Sequence, residues 1–405
     1  MRTSAFLYPW DVLGDPAAPA RLAELGLDGV TLASAYHSTR ALTPRHPATR
    51  VVTAPHSAVY YPPAADRWTG HDLRPYRQEW LPGGDPWGEA AALLGDAGLD
   101  VASWVVLAHN SRLGDDYPSS SVCNAYGDRY PWALCVARPE VVRYCAELAA
   151  EAGARPGASG TELESCGWYG LSHLHGHDKI GGVRLDAAAQ YLMSLCFCDV
   201  CAAAHAEAGV PDLDAAVRAA LAPVWRGERP EPAPDPAADS GVDTGVGDAA
   251  GEWAAVERLL GADLARLTLE LRAARARELQ RACVGAVRAA AGPGFRVLLH
   301  ADPALHRSGA NVGVEAAWLL ADAGAGGAGA DGLVLPCANG TAALDAARAA
   351  APGGTLAANL TVVSGMGGDP RRVAEPPSGA DELRLYHAGL ASDPDLAVLR
   401  AALAG

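Results

Sequence analysis

The chain is 405 residues long and half of it is hydrophobic, enough to bury a large core as one large domain or two ordinary ones. With 47 acidic and 32 basic side chains it carries a formal charge of −15 and contains no Lys/Arg-rich run, so its summed field repels phosphates and excludes a nucleic-acid partner. Charges, Gly or Pro interrupt every apolar run, which excludes a transmembrane helix and leaves no membrane partner to expect.

In chain order, the opening MRTSAFLYPWDVLGDP has neither the apolar core nor the small-residue cleavage site of a secretory signal, and a cytoplasmic location is expected. Residues 4–11 (SAFLYPWD) read as a strand, 16–26 as a short amphipathic helix closed by glycine, and 27–37 (LDGVTLASAYH) as a second strand. Residues 38–84 are rich in Pro and aromatics, a connection of the length of a functional loop or a structured lid. A helix over 86–98 and a strand over 99–110 follow. A second long loop over 111–136, a helix over 139–153 and a fourth strand over 159–165 come next.

Residues 186–209 are mostly helical. Residues 226–251 are too polar and too rich in Pro, Asp and Gly to offset their ordering entropy, and predict a disordered insertion. Residues 253–291 predict one long helix with a core-facing stripe of Leu259, Leu260, Leu264, Leu267 and Leu271. Strands over 295–302, 332–337, 355–363 and 382–390 complete the series, with helices over 314–323, 341–350 and 393–403. Eight strands, most followed by a helix, predict an α/β single domain spanning 1–405, a (β/α)8 TIM barrel with long loops. A doubly wound open sheet is the runner-up, and without a GxGxxG after the first strand its dinucleotide-binding form is unsupported.

In such a barrel the chemistry belongs at the C-terminal ends of the strands. Those ends carry Trp10 and Asp11, Tyr36 and His37, His109 and Asn110, Glu162 and Glu164, His300 and Asp302, Cys337 and Asn339, Asn359 and Thr361, and Tyr386 and His387. On the fourth strand the period of two puts Glu162 and Glu164 on one face, and Trp168, His173, His175 and His177 crowd the loop beyond. Aromatic platforms beside carboxylates, amides and imidazoles suit a sugar, whose hydroxyls need hydrogen-bond partners and whose C–H face stacks on rings.

Glycosidic cleavage uses two carboxyl groups, one protonating the leaving oxygen and one attacking or activating water. Glu164, nearest the mouth, is the expected principal group, with Asp302 or the deeper Glu162 as partner. Each has a plainer reading: Glu164 and Glu162 as binding or salt-bridged groups, Asp302 as the opening of an Asp-Pro turn. Trp10, Asp11, Tyr36, His37, His109, Asn110, Trp168, His175, His300, Asn359 and His387 are the expected sugar contacts or their supports. Trp104, mid-strand, reads as core.

Nine cysteines, an odd number in a cytoplasmic chain, read as thiols or metal ligands rather than a disulfide framework. In LCFCDVC, Cys196, Cys198 and Cys201 with His205 form a knuckle that can complete a tetrahedral zinc site, Cys166 being another fourth ligand. Closed on all sides, that zinc would be structural, with no cofactor required for catalysis; the competing reading is a set of buried free thiols.

YPWD at the first strand, TLASAYHSTRALTPRHP across the second, HNSRLG at the third, NAYGDRYPWALC in the next loop, ELESCGWYG at the fourth and CFCDVC after it occur together. In this combination the chain resembles an uncharacterised group of bacterial glycoside-hydrolase-like TIM-barrel proteins with a strand-four E-x-E and a downstream CxCxxC. The resemblance covers most of the chain outside 226–251 and implies a barrel with Glu164 as the catalytic group. Strand seven, TLAANLTVV, offers Asn359 and Thr361 where many retaining barrel glycosidases carry a nucleophilic Glu. The expected function is therefore hydrolysis of a small glycoside or oligosaccharide by Glu164 with a partner elsewhere than strand seven. The alternatives are a divalent-metal sugar isomerase or hydrolase using Glu164, His300, Asp302 and a loop histidine, and a non-catalytic carbohydrate-binding protein.

Overall fold

A computed structural model describes residues 1–172, 178–228, 248–292, 294–321 and 329–404. Eight parallel strands close into a barrel: β1 (Arg2–Leu7), β2 (Gly29–Tyr36), β3 (Asp100–Val106), β4 (Gly160–Glu164), β5 (Arg296–Asp302), β6 (Gly332–Pro336), β7 (Thr355–Thr361) and β8 (Glu382–Tyr386). Each pairs with its neighbours in sequence, and β1 closes the ring on β8 through Arg2 opposite Glu382 and Ala5 opposite Leu385. Because helices cover the outside and side chains fill the inside, the strands read as nearly continuous buried runs such as AFL and VLLHA. The fold is the (β/α)8 barrel that the alternation of elements predicts.

The outer helices bury one stripe each. Pro86–Asp96 starts with Pro at its first turn and is capped by the Asp85 carboxylate, which accepts from Gly88 N. Pro139–Gly153 packs along Ala262–Ala290. Two expectations for the latter region are corrected. The helix over 253–291 is two helices, Ala249–Leu260 and Ala262–Ala290, broken at Gly261, whose φ of +90° only glycine adopts without strain. The buried stripe also runs through Ala265, Thr268, Arg272, Ala276, Leu279 and Cys283, while Leu264, Leu267 and Leu271 are only half-buried. Small residues win the inner face because they let two helix backbones approach closely.

Between β4 and β5 the chain adds a layer of four helices, Ala187–Met193, Asp199–Glu207, Leu213–Trp225 and Ala249–Leu260. All of these but Asp199–Glu207, whose Cys201 joins the main core, close over a satellite core of Leu192, Leu213, Val217, Leu221, Val256 and Leu260. The expected insertion over 226–251 falls largely outside the described residues; at its edges, Arg226 pairs with Glu228 and Asp248 caps the helix Ala249–Leu260. Among the described residues, no helix is long and apolar enough to cross a membrane.

The long loops carry structure of their own. Thr39–Leu42 pairs antiparallel with Val51–Ala54, and Ser121–Cys123 with Arg129–Leu134. The loop after β2 is tied to the helix Pro139–Gly153 by Glu151, whose carboxylate accepts from Tyr61 Oη (3.1 Å), Trp68 Nε1 (2.8 Å) and Ala64 N (2.6 Å).

Candidate active site and cysteine centre

The period of two along each strand sends alternate side chains into the barrel, where they meet in layers. At the N-terminal floor, Glu382 on β8 bridges Arg296 on β5 (2.8 Å) and Arg384 on its own strand (2.9 Å). One layer up, Arg384 Nε donates to Glu162 Oε1 at 2.5 Å, and Thr31 Oγ1 donates to the same oxygen at 3.3 Å. Beside these charges, Leu298, Val334 and Ala357 make a small apolar plug from β5, β6 and β7. Burial alone would raise the Glu162 carboxyl. The Arg384 guanidinium, with His300 3.4 Å away, overcomes that and holds it at about 2.

Above this layer lies Glu164, buried and two residues nearer the mouth. Trp104 Nε1 on β3 donates to its Oε2 at 2.8 Å, and His300 Nδ1 stands 4.0 Å from the same oxygen. No arginine or lysine lies within ion-pair range of Glu164 among the described residues. Rings from several strands close around it. Phe6 on β1 lies 4.7 Å from Trp104, 5.4 Å from His300 and 5.7 Å from Tyr386, while Tyr8, Tyr36 and His387 pack on Trp104 from the mouth side. Burial and then neighbouring negative charge, that of Glu164 included, push the Tyr36 and Tyr386 hydroxyls up, so both stay protonated donors. Burial, then His37, pushes His387 down to about 3, leaving it a neutral ring whose Nε2 lies 3.4 Å from Tyr8 Oη.

The other expected residues divide. His37 stacks on Tyr36 (4.2 Å) and faces His109 (5.0 Å), which stacks on Tyr169 (4.6 Å). Trp10 stacks on Tyr8 at 4.4 Å, and Asp11 turns back to accept Tyr8 N. Burial pushes the Asp11 carboxyl up to about 7 against the pull of the Tyr8 N–H and Arg45. Asn359 on β7 carries a buried Oδ1 with no hydrogen-bond partner among the described residues. Asn110 caps the helix Ser111–Asp116 through Leu113 N and reaches Tyr144 Oη, a local task. Trp168 Nε1 donates to Arg272 O, and its face meets the Arg272 guanidinium. Asp302 Oδ1 accepts from Ala304 N, as an Asp-Pro turn does, and its Oδ2 lies 4.0 Å from Arg307 Nε. Burial raises its carboxyl above the usual aspartate range. His173, His175 and His177 lie outside the described residues.

Two residues that carry this layout, Trp104 and Arg384, are absent from the expected site, while Tyr386 is in the inventory of strand ends. Trp104, expected as core, is core and also the donor to Glu164. Arg384 and Tyr386 share the inward face of β8 in the alternating pattern Glu-x-Arg-x-Tyr.

The cysteine centre is corrected in one ligand. Cys135, Cys196, Cys198 and Cys201 bring their sulfurs within 4.8 Å of one another, all buried, whereas His205 packs on Phe197 at 5.1 Å and is not among them. Cys166 is not a member either. Cys135 arrives from the hairpin end after Leu134, a position remote in sequence and opposite the knuckle in space. Its Sγ lies 3.7 Å from Cys198, 3.7 Å from Cys201 and 3.6 Å from Cys196. Four sulfurs around zinc at about 2.3 Å sit about 3.8 Å apart, so the spacing fits a closed tetrathiolate. Cys123 N points at Cys196 Sγ (3.5 Å), and Cys198 stands at the N-terminal end of the helix Asp199–Glu207, where the helix dipole favours a thiolate. Donation from the other thiols, Cys135 first, draws Cys198 far toward the thiolate. Among the described residues this is the one group of three or more His, Cys, Asp or Glu side chains that could hold a metal ion.

Two small cavities flank these centres without containing Glu164. One lies at the barrel floor beside Thr31, Thr161, Glu162, Arg296 and Arg384. The other lies beside Cys196 and Cys201, walled by Trp168, His205, Arg272 and Arg275.

No protein-family model matches the sequence and no curated protein matches it. Solved structures do match in fold. An α-L-fucosidase (isoenzyme 2) from Paenibacillus thiaminolyticus superimposes with a TM-score of 0.52 at 12% identity, covering 100% of this chain and 49% of its own. A β-galactosidase from the psychrophilic Marinomonas ef1 superimposes with a TM-score of 0.51 at 10% identity, covering 100% of this chain and 59% of its own. The chain thus spans about half the length of these glycosidases, and what it shares with them is the (β/α)8 barrel.

Proposed function

We propose that this barrel is a glycoside hydrolase acting on a small glycoside or oligosaccharide, with Glu164 as its principal carboxyl group. The observation that carries the reading is the contrast on β4. Glu162 is locked to Arg384, whereas Glu164 has no arginine or lysine within ion-pair range among the described residues, accepts from Trp104 and is ringed by Tyr36, Tyr386, His37 and His300. A proton-transfer group needs that freedom, and a sugar needs those rings and hydroxyls. The glycosidases sharing the fold support the same direction.

The partner in this reading is Asp302. Glu162, held ionised at about 2 by a 2.5 Å guanidinium contact, is unsuited to exchanging protons near neutrality and serves to fix His300 beneath Glu164. Asp302, buried and with its carboxyl raised, keeps the capacity to protonate or to deprotonate water. Tyr36, Tyr386, His37 and His387 are read as sugar contacts, and Asn110 and Trp168 as supports.

The cysteines take a structural role. Cys135, Cys196, Cys198 and Cys201 would hold a zinc ion closed on all sides by protein, supplying cross-linking between the hairpin after β3 and the helices after β4 and no chemistry at Glu164.

The test is Glu164→Gln against a panel of aryl α- and β-glycosides, fucosides and galactosides included. The parent is expected to turn over at least one member, and the variant to lose that turnover by 10³-fold or so with its circular dichroism and melting temperature retained, in line with loss of a general acid–base group (about 10²–10⁴). Full activity in the variant would remove Glu164 from the chemistry. Tight binding of a sugar by the parent without turnover across the panel would make the chain a carbohydrate-binding protein instead.

A further inference from the structure

We infer that Arg272 is the counter-cation of the four-cysteine centre and sets how tightly that centre keeps its metal. The inference rests on the reading of Cys135, Cys196, Cys198 and Cys201 as a closed metal site, and adds a residue outside the ligand set. Four thiolates around a divalent ion leave a net charge of about −2 in a buried site, and a buried charge is costly unless a counter-charge stands beside it.

Three guanidiniums approach the cysteines, and two are already committed. Arg138, near Cys198, is paired with Glu140 and with Asp199. Arg275, near Cys201, is paired with Glu278 at 2.8 Å. Arg272 differs. It is 6% exposed and lines the same cavity as Cys196 and Cys201, yet no carboxylate lies within ion-pair range of it among the described residues. Its Nη1 is buried with no hydrogen-bond partner among the described residues.

The fold holds this side chain in place at a desolvation cost that a nearby anion would offset. Arg272 occupies the buried stripe of the helix Ala262–Ala290, a position that packing alone would give to an apolar residue. Its guanidinium lies between the rings of Trp168 (5.3 Å) and Tyr191 (5.0 Å), a cation–π clamp that orients it without neutralising it. Burial pulls its proton affinity down, and the nearby Tyr191, Cys196 and Cys201 offset that only in part; of these, the cysteines are the groups that become anionic when they hold a metal. Through Trp168 Nε1, which donates to Arg272 O at 2.9 Å, the same residue ties the cysteine centre to the loop that follows Glu164.

The experiment loads the purified chain with Zn²⁺ or Co²⁺ and follows metal release into a chromophoric chelator, with the Co²⁺ charge-transfer bands reporting thiolate ligation. The parent is expected to hold one equivalent, and Cys135→Ser to lose the tetrathiolate spectrum. Arg272→Met is expected to release metal roughly 10- to 100-fold faster, the size of effect that residues supporting metal ligands have. Arg272→Lys, which keeps the charge, should fall between the two, and Arg275→Gln, which removes a cation already paired, should stay near the parent. Arg272→Gln stands in where Arg272→Met does not fold. A folded, charge-neutral variant that releases metal at the parental rate overturns the role of Arg272 while leaving the metal site standing. A parent that binds neither ion with thiolate bands overturns both.

Discussion

Two residues apart on β4, Glu162 and Glu164 share a face but not their neighbours: Glu162 meets the Arg384 guanidinium, and Glu164 the Trp104 indole. The guanidinium decides what each carboxylate can do, because a 2.5 Å contact at a site less than 5% exposed is worth far more than a surface ion pair. Removing one partner strands the other. Arg384→Met is therefore expected to destabilise the protein by about 3–5 kcal/mol in urea denaturation, since it leaves the buried Glu162 carboxylate without its guanidinium and Glu382 with Arg296 alone. A loss under 1 kcal/mol would show that the floor of the barrel rehydrates. The E-x-E of β4 was legible because alternation puts both acids on one face. The Glu-x-Arg-x-Tyr of β8 carries the same signal, but which acid its arginine reaches depends on barrel closure, a contact 222 residues away in sequence. Trp104 illustrates the opposite limit: a buried indole mid-strand is core by every local criterion, and its hydrogen bond to Glu164 is visible only once β3 and β4 are paired.

At the scale of elements, the eight strands and most of their helices could be read from apolar runs and glycine or proline punctuation, because each signal is local. What escaped was set by distance. The single helix over 253–291 breaks at Gly261, and a lone glycine in a helical pattern does not announce whether it will be spanned or turned. Cys135 sits 61 residues before the knuckle whose tetrahedron it completes, where His205 is the nearer partner in sequence. The loop after β2 reads as a functional loop or a structured lid, but its anchor does not show in the sequence: Glu151 gathers three donors from it, Tyr61, Ala64 and Trp68. Glu151→Ala would leave those donors without an acceptor in a buried setting. The expected cost is about 3 kcal/mol, with a new proteolytic cut between residues 60 and 80, measured by denaturation and limited proteolysis. A variant as stable and as resistant as the parent would mean that the loop is held by its aromatic packing alone.

For the molecule as a whole, burial of acids at both ends of the barrel makes stability depend on pH in two opposed ways. Glu162 is held at about 2 against an ordinary 4.5, so its contribution is fully present above pH 4.5 and is lost as pH falls toward 2. Asp11 is raised from 3.8 to about 7 by burial near the mouth, so the folded state binds its proton more tightly than the unfolded state does. That contribution is present below pH 4 and is lost as pH rises through 7. A shift of that size corresponds to about 2–4 kcal/mol, the lower figure allowing for the side chain's partial exposure. The melting temperature should therefore peak near pH 4–5 and decline toward pH 8. Asp11→Asn keeps an oxygen to accept Tyr8 N and carries no charge, so it should flatten the decline above pH 5 and leave the acid limb unchanged. Both limbs can be read from thermal unfolding of the parent and the variant across pH 2–8. A neutral-side slope that survives in Asp11→Asn would assign it to another group, whereas its loss would place an acid titrating near neutrality at the end of β1, on the same rim of the barrel as Glu164.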